Sequence, residues 1–162
     1  MTNTTTNTTT THANTDNIAI ARRFIDEILN RGRFELLADL VHDDYRYIGP
    51  DGTELVGRAA LAALLGGFRS GFSDLHAHVR IAIAADDTVA MTMTLTGTHD
   101  GDFDGVSPTG AQLELPLAIF TRIVDGRILE DREYYDTGTM LAQLGVSPDA
   151  DLVWTGDDRD QH

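Results

Sequence analysis

Asp125-Gly126-Arg127-Ile128-Leu129-Glu130-Asp131-Arg132-Glu133-Tyr134-Tyr135-Asp136 is the stretch on which the reading of this chain turns. Asp-Gly is a strong hairpin signal, and the residues after it read as the last strand of a sheet. The strand before it, Gln112 to Val124, alternates and puts Leu113, Leu115, Leu117 and Ile119 on one face. The turn decides what stands beside them. A two-residue type I′ turn places Glu130, Arg132, Tyr134 and Asp136 on the Leu117 face. A type I turn with Gly126 in a bulge places Leu129, Asp131, Glu133 and Tyr135 there instead. A slip of one residue exchanges the faces completely, so both Glu133 and Asp136 stay in play. In either register a carboxyl group lies among Leu and Tyr side chains. Desolvation and a neighbouring carboxylate raise its pKa, which makes a glutamate a usable acid and base near neutral pH. The alternatives are a solvated rim, or an ion pair of Glu133 with Arg132 or Arg122.

Upstream of this hairpin the period is also two. Val79, Ile81 and Ile83 alternate before Asp86-Asp87, and Val89, Met91, Met93 and Leu95 alternate after it. Gly97-Thr98-His99 carries that strand into a loop, Asp100 to Gly110. Earlier still the period is 3.6. Thr15 or Asp16 caps a helix with Ile18, Ala21, Ile25 and Ile28 in a stripe that Phe24 and Leu29 widen, and Gly32 ends it. A short helix near 33–41 carries Phe34, Leu37, Leu40 and Val41. Tyr45 to Ile48 reads as a short strand stopped by Gly49-Pro50-Asp51-Gly52. Gly57 opens a third helix with Leu61, Leu64, Leu65 and Phe68 on one side, weakened at its end by Gly66, Gly67 and Gly71. A last helix runs from Thr139 to Leu144. This order predicts an α+β fold, a cone with three N-terminal helices packed on a curved antiparallel sheet. Such a cone leaves an apolar pocket suited to a small hydrophobic ligand.

The chain has 162 residues and a net charge of −14. One domain is expected over 16–146, after a Thr/Asn-rich tail at 1–15 that reads as disordered and before an acidic tail at 147–162. Leu152, Val153 and Trp154 in that tail could dock on the body. The acidic balance argues against nucleic acid and against an anionic membrane surface. No apolar run is long enough to span a bilayer, and the N-terminus lacks the pattern of a signal peptide, which predicts a cytoplasmic protein. Without cysteine there is no thiolate nucleophile or ligand. His76 and His78 stand two apart on a strand without further metal spacing. No serine sits in a nucleophile elbow, and no glycine pattern points to a nucleotide. No metal or cofactor is expected.

Gly97-Thr98-His99-Asp100-Gly101, Phe103, Gly105, Pro108-Thr109-Gly110, Arg122, Asp125-Gly126-Arg127-Ile128 and Gln143-Leu144-Gly145 together resemble the SnoaL-like polyketide cyclases, over about Ile18 to Gly145. The resemblance implies the cone-shaped α+β barrel shared with nuclear transport factor and ketosteroid isomerase. It also implies an intramolecular aldol ring closure without metal or cofactor, with an aspartate on the last strand as acid/base. That aspartate falls on Glu133, which favours the bulged register. The sequence departs from the cyclases in having Glu there, and Ile119 where they carry a histidine. The limonene epoxide hydrolase pattern of the same fold is absent, since its Arg and Asp fall on Met93 and Leu95.

The candidate catalytic residues are Glu133, with Asp136 in reserve as an alternative to a cap for the last helix, and His99, whose parity with Met93 and Leu95 points it inward. A hydrogen-bonded structural role is the other reading of His99. Asp131, Tyr135, Leu117, Ile119, Leu64, Phe68, Leu29 and Tyr45 are the candidate substrate-binding residues, although Tyr45, Tyr47, Phe68, Leu64, Leu29 and Met91 also read simply as core. The substrate expected is small, hydrophobic or aromatic. The alternatives to a cyclase are a binding protein for a hydrophobic metabolite, an isomerase, and an enzyme that assists hydroxylation. Pairing through the convex sheet face, with Thr92, Thr94 and Thr96 exposed, predicts a homo-oligomer.

Overall fold

The computed structural model describes residues 5–146. Residues 1–4 and the acidic tail at 147–162, with Leu152, Val153 and Trp154, lie outside the described residues. The first helix, α1, spans Thr5–Arg23 and continues as a π-helical segment, Phe24–Asn30. Ala21, Phe24, Ile25 and Ile28 are buried, as their spacing requires. The helix therefore runs back into the Thr/Asn-rich stretch that reads as disordered from composition. Once the apolar stripe from Ile18 to Ile28 is docked, each further turn adds a hydrogen bond without a new nucleus. A 3₁₀ turn, Phe34–Leu36, and the short α2, Leu37–Leu40, complete the N-terminal part.

The strands are β1 (Val41–Ile48), β2 (Glu54–Val56), β3 (His76–Ala85), β4 (Thr88–Thr98), β5 (Gln112–Val124) and β6 (Arg127–Tyr134). Helix α3, Arg58–Gly71, lies between β2 and β3, and α4, Thr137–Leu144, follows β6. Gly66 and Gly67 do not break α3, because its Leu61–Leu65 face is held by burial. The six strands form one sheet in the order β2-β1-β6-β5-β4-β3. It is mixed rather than purely antiparallel, because β1 pairs β6 in parallel, and it stays open. That pairing joins two strands from opposite ends of the chain, with all of α3 and β3–β5 as the crossover.

The register of β6 follows from two features in series. Asp125 and Gly126 both have positive φ, 51° and 73°, as a type I′ turn demands, and Val124 pairs directly with Arg127. Ile123 pairs Ile128, but Arg122 already pairs Glu130, so Leu129 is left over as a bulge. Ile128, fully buried, takes the inward position before the bulge, and Asp131 and Glu133 take it afterwards. The tight turn and the bulged register, alternatives in the sequence, therefore coexist. The extra residue sits at Leu129 instead of Gly126.

The loop between β4 and β5 is clamped on the end of α3. The Asp100 and Gly101 N–H groups both donate to the Gly71 carbonyl at 3.1 Å. A Cβ on Gly101 would come within 1.9 Å of the Ser70 carbonyl oxygen, so only glycine fits. Phe103 then stacks on Phe68 and Phe72, with ring centroids at 4.9 and 5.3 Å, and closes one side of the cone.

Candidate active site

Two neighbouring cavities that share lining residues lie in the cone. The inner one, about 60 Å³, is walled by apolar side chains from the π-helical segment, α3, β4 and β5, with Asp131 and Glu133 as its polar wall. The outer one, about 190 Å³, opens beside α4, the turn at Gly49–Thr53, Phe103 and Tyr135. Tyr47, Leu64 and Phe68 line both and mark the junction.

β1 and β6 build the polar wall together. Tyr47 pairs Asp131 in register, and the inward row of β6 lies against the inward tyrosines of β1. The Tyr45 hydroxyl donates to Asp131 Oδ2 at 2.9 Å, and the Thr121 hydroxyl donates to Oδ1 at 2.6 Å. Both oxygens of this buried carboxyl are thus satisfied. The Tyr47 hydroxyl donates to Glu133 Oε2 at 2.5 Å. Glu133 Oε1 has no hydrogen-bond partner among the described residues, yet it is not sealed off. Glu133 is only half-buried by area, and the surface it keeps faces the inner cavity.

No guanidinium pairs with either group among the described residues. Arg122 is committed to Asp87 at 2.7 Å, and Arg132 turns outward to Glu130 at 2.9 Å. The ion-pair alternative for Glu133 therefore does not hold. Burial pushes the Glu133 carboxyl up to about 7, against the opposing hydrogen bond from Tyr47 and with help from the charge of Asp131. Burial likewise lifts Asp131 to about 6, opposed by Thr121 and Tyr45. The hydroxyls of Tyr45, Tyr47 and Tyr135 are all pushed above the usual tyrosine range, chiefly by burial and then by the neighbouring carboxylates. Near neutral pH this wall holds carboxyl groups balanced between two protonation states, beside phenols that remain donors.

A model of the SnoaL-like polyketide cyclase family matches residues 19–144. The chain belongs to this family. It is 29% identical to aklanonic acid methyl ester cyclase AcmA of Streptomyces galilaeus over 132 residues, 80% of this chain and 91% of that protein. It is 31% identical to nogalonic acid methyl ester cyclase of Streptomyces nogalater over 129 residues, 77% of this chain and 95% of that protein. A solved structure from Catenulispora acidiphila DSM 44928, described as having a ketosteroid isomerase-like fold, superposes with a TM-score of 0.65 at 21% identity. The match covers 79% of this chain and 93% of that one.

In this SnoaL-like chain, most of the residues singled out from sequence converge. Leu29, Tyr45, Leu64, Phe68, Leu117, Asp131 and Glu133 line the inner cavity, and Tyr135 the outer one. Three do not join them. Ile119 faces Glu133 across the strands but lines neither cavity, being covered by the core. Asp136 is exposed and caps α4, accepting from the Thr139 N–H at 3.2 Å and the Thr139 hydroxyl at 3.0 Å. Those bonds, the backbone one first, hold its carboxyl below the ordinary range, so it is no reserve acid/base. His99 is fully buried, but β4 ends at Thr98 and the following loop covers the ring. Its Nδ1 lies 2.9 Å from the Thr109 hydroxyl and accepts the Thr109 N–H at 3.3 Å, and the ring packs on Phe72 at 5.4 Å. It pins the loop and lines neither cavity. Tyr47 and Thr121 were not among the site candidates. Each carries a signal: Tyr47 is two residues from Tyr45 on one strand, and Thr121 is a polar residue in the inward row of Leu117 and Ile119. Among the described residues no group of three or more His, Asp or Glu could hold a metal ion.

Proposed function

We propose that this protein is a polyketide cyclase that closes a ring by an intramolecular aldol reaction without a cofactor, with Glu133 as acid and base. The observation that carries the reading is the unpaired Glu133 Oε1 facing an apolar cavity while Oε2 is fixed by Tyr47. The ionised carboxylate takes a proton from carbon alpha to a carbonyl. The enolate carbon attacks a second carbonyl of the same substrate, one C–C bond forms, and the new alkoxide takes the proton back from Glu133. Asp131 tunes the proton affinity of Glu133 through its charge. Since His99 lines neither cavity, the hydrogen bond to the enolate oxygen comes from a tyrosine. Relatives named as cyclases of aklanonic and nogalonic acid methyl esters support a substrate of that class.

The test is turnover of aklanonic acid methyl ester by the wild-type protein and by Glu133→Gln. The wild type cyclises it, and the variant keeps the fold and ligand binding but loses roughly 10²–10⁴-fold in kcat. Normal turnover by the variant contradicts the assignment, and ligand binding without turnover by the wild type favours a binding protein. The outer sheet face exposes Ile81, Ile83, Phe120 and Tyr134 beside Thr92, which supports a homo-oligomer formed through this face.

A further inference from the structure

Three tyrosines reach the polar end of the cavities, and their hydroxyls are not equivalent. That of Tyr45 is spent on Asp131 and that of Tyr47 on Glu133. The Tyr135 hydroxyl has no hydrogen-bond partner among the described residues and is not sealed away. A buried tyrosine hydroxyl ordinarily finds a partner, so a free one in a cavity wall is available to what fills the cavity. The other side-chain donors of the outer cavity are fewer than they look. The Thr53 hydroxyl is tied to Asp51 at 2.8 Å, and Thr137 lies in the exposed first turn of α4.

Tyr135 stands two residues after Glu133 with the same inward parity, at the point where β6 ends. Tyr47, which binds Glu133, also lines the outer cavity with Tyr135. A substrate lying across the junction presents an acidic C–H to Glu133 Oε1 and its carbonyl oxygen to the outer side. We propose that Tyr135 is a catalytic residue that donates its hydroxyl hydrogen bond to the enolate oxygen of the substrate, an inference that rests on the cyclase reading above. Burial and the charges of Glu133 and Asp51 keep this phenol protonated, so it serves as a donor and not as a second base. Tyr47 has a different part: it holds Glu133 in place and is a positioning residue.

The experiment compares binding of 2-naphthol, a flat mimic of an enol, with binding of naphthalene, which has the same rings and no oxygen. Wild type binds 2-naphthol more tightly than naphthalene. Tyr135→Phe loses about tenfold in 2-naphthol affinity, the worth of a good hydrogen bond, and leaves naphthalene unchanged. Tyr134→Phe, the same change on the outer face, alters neither. Equal binding of 2-naphthol by wild type and Tyr135→Phe overturns the proposal, as does an equal loss for both ligands, which would mark a packing role. If Tyr135→Phe does not fold, equal wild-type affinities for the two ligands overturn it just as well. Because binding is read without turnover, wild-type inactivity on aklanonic acid methyl ester sinks the cyclase reading and leaves the naphthol comparison to be judged separately.

Discussion

The two faces of β6 carry the same kinds of residue and hold them in opposite ways. Outward, Glu130 lies 2.9 Å from Arg132 and 3.7 Å from Arg46, in reach of water. Tyr134 is exposed and meets Phe120 edge to face at 6.0 Å. Inward, Asp131 and Glu133 meet only hydroxyls and apolar walls, and neither forms an ion pair among the described residues. Guanidinium and solvent balance the outward carboxylate. Hydroxyl donors only partly offset the desolvation of the inward pair, so their proton affinity climbs. Proton affinity here is a property of the face, and one bulged residue, Leu129, chooses the face.

The bluntest way to break this difference is to insert one alanine between Leu129 and Glu130. The insertion moves every residue after the bulge on by one place, which pushes Glu130 and Arg132 into the core and Asp131 and Glu133 into solvent. Burial of unpaired charge places the effect above about 4 kcal/mol, so the expected result is a chain that no longer melts cooperatively. A folded, active insertion variant would show that the register of β6 does not set the site.

Next in size is the dependence of stability on pH. Glu133 has a folded pKa of about 7 against an ordinary 4.5, so folding takes up a proton in that window. Stability is full below about 4.5 and falls as pH rises through 7. Glu133→Gln removes this loss. The variant is expected to be more stable than wild type by about 2–3 kcal/mol at pH 8 and equal to it near pH 4, read from denaturant melts. An identical gap at both pH values would deny the shifted carboxyl. The smallest effect sharpens the same contrast from the outside: Glu130→Gln, in an exposed pair, should change stability by less than about 0.5 kcal/mol and leave turnover intact.

Much of this was written locally in the chain. The alternation of Met91, Met93 and Leu95 and of Leu113 to Ile119 marked the two central strands, since burial on one face enforces a period of two. The stripe from Ile18 to Ile28 and the run from Leu61 to Phe68 marked the helices that roof the cavities. The inward choice between Glu133 and Asp136 was not local. It depended on a bulge that no turn signal announces, because Leu129 has no special backbone chemistry. β2 was missed for a similar reason: Glu54-Leu55-Val56 has no alternation of its own and is a strand only because β1 lies beside it. The parallel pairing of β1 with β6 was likewise beyond local pattern. His99 had inward parity and is buried, but parity could not show that Thr109 folds back over the ring. Tyr47 was visible as one of a pair with Tyr45, yet its bond to Glu133 needed strands about 86 residues apart in sequence to meet.

The central claim is that Glu133 sits in a desolvated cavity as a carboxyl able to take and return a proton near neutral pH. NMR titration of the Glu133 side-chain carboxyl in the labelled protein, assigned with Glu133→Gln, tests it most directly. A midpoint near 7 is the expected result. A midpoint at or below the ordinary 4.5 would mean a solvated or ion-paired glutamate and would contradict the account.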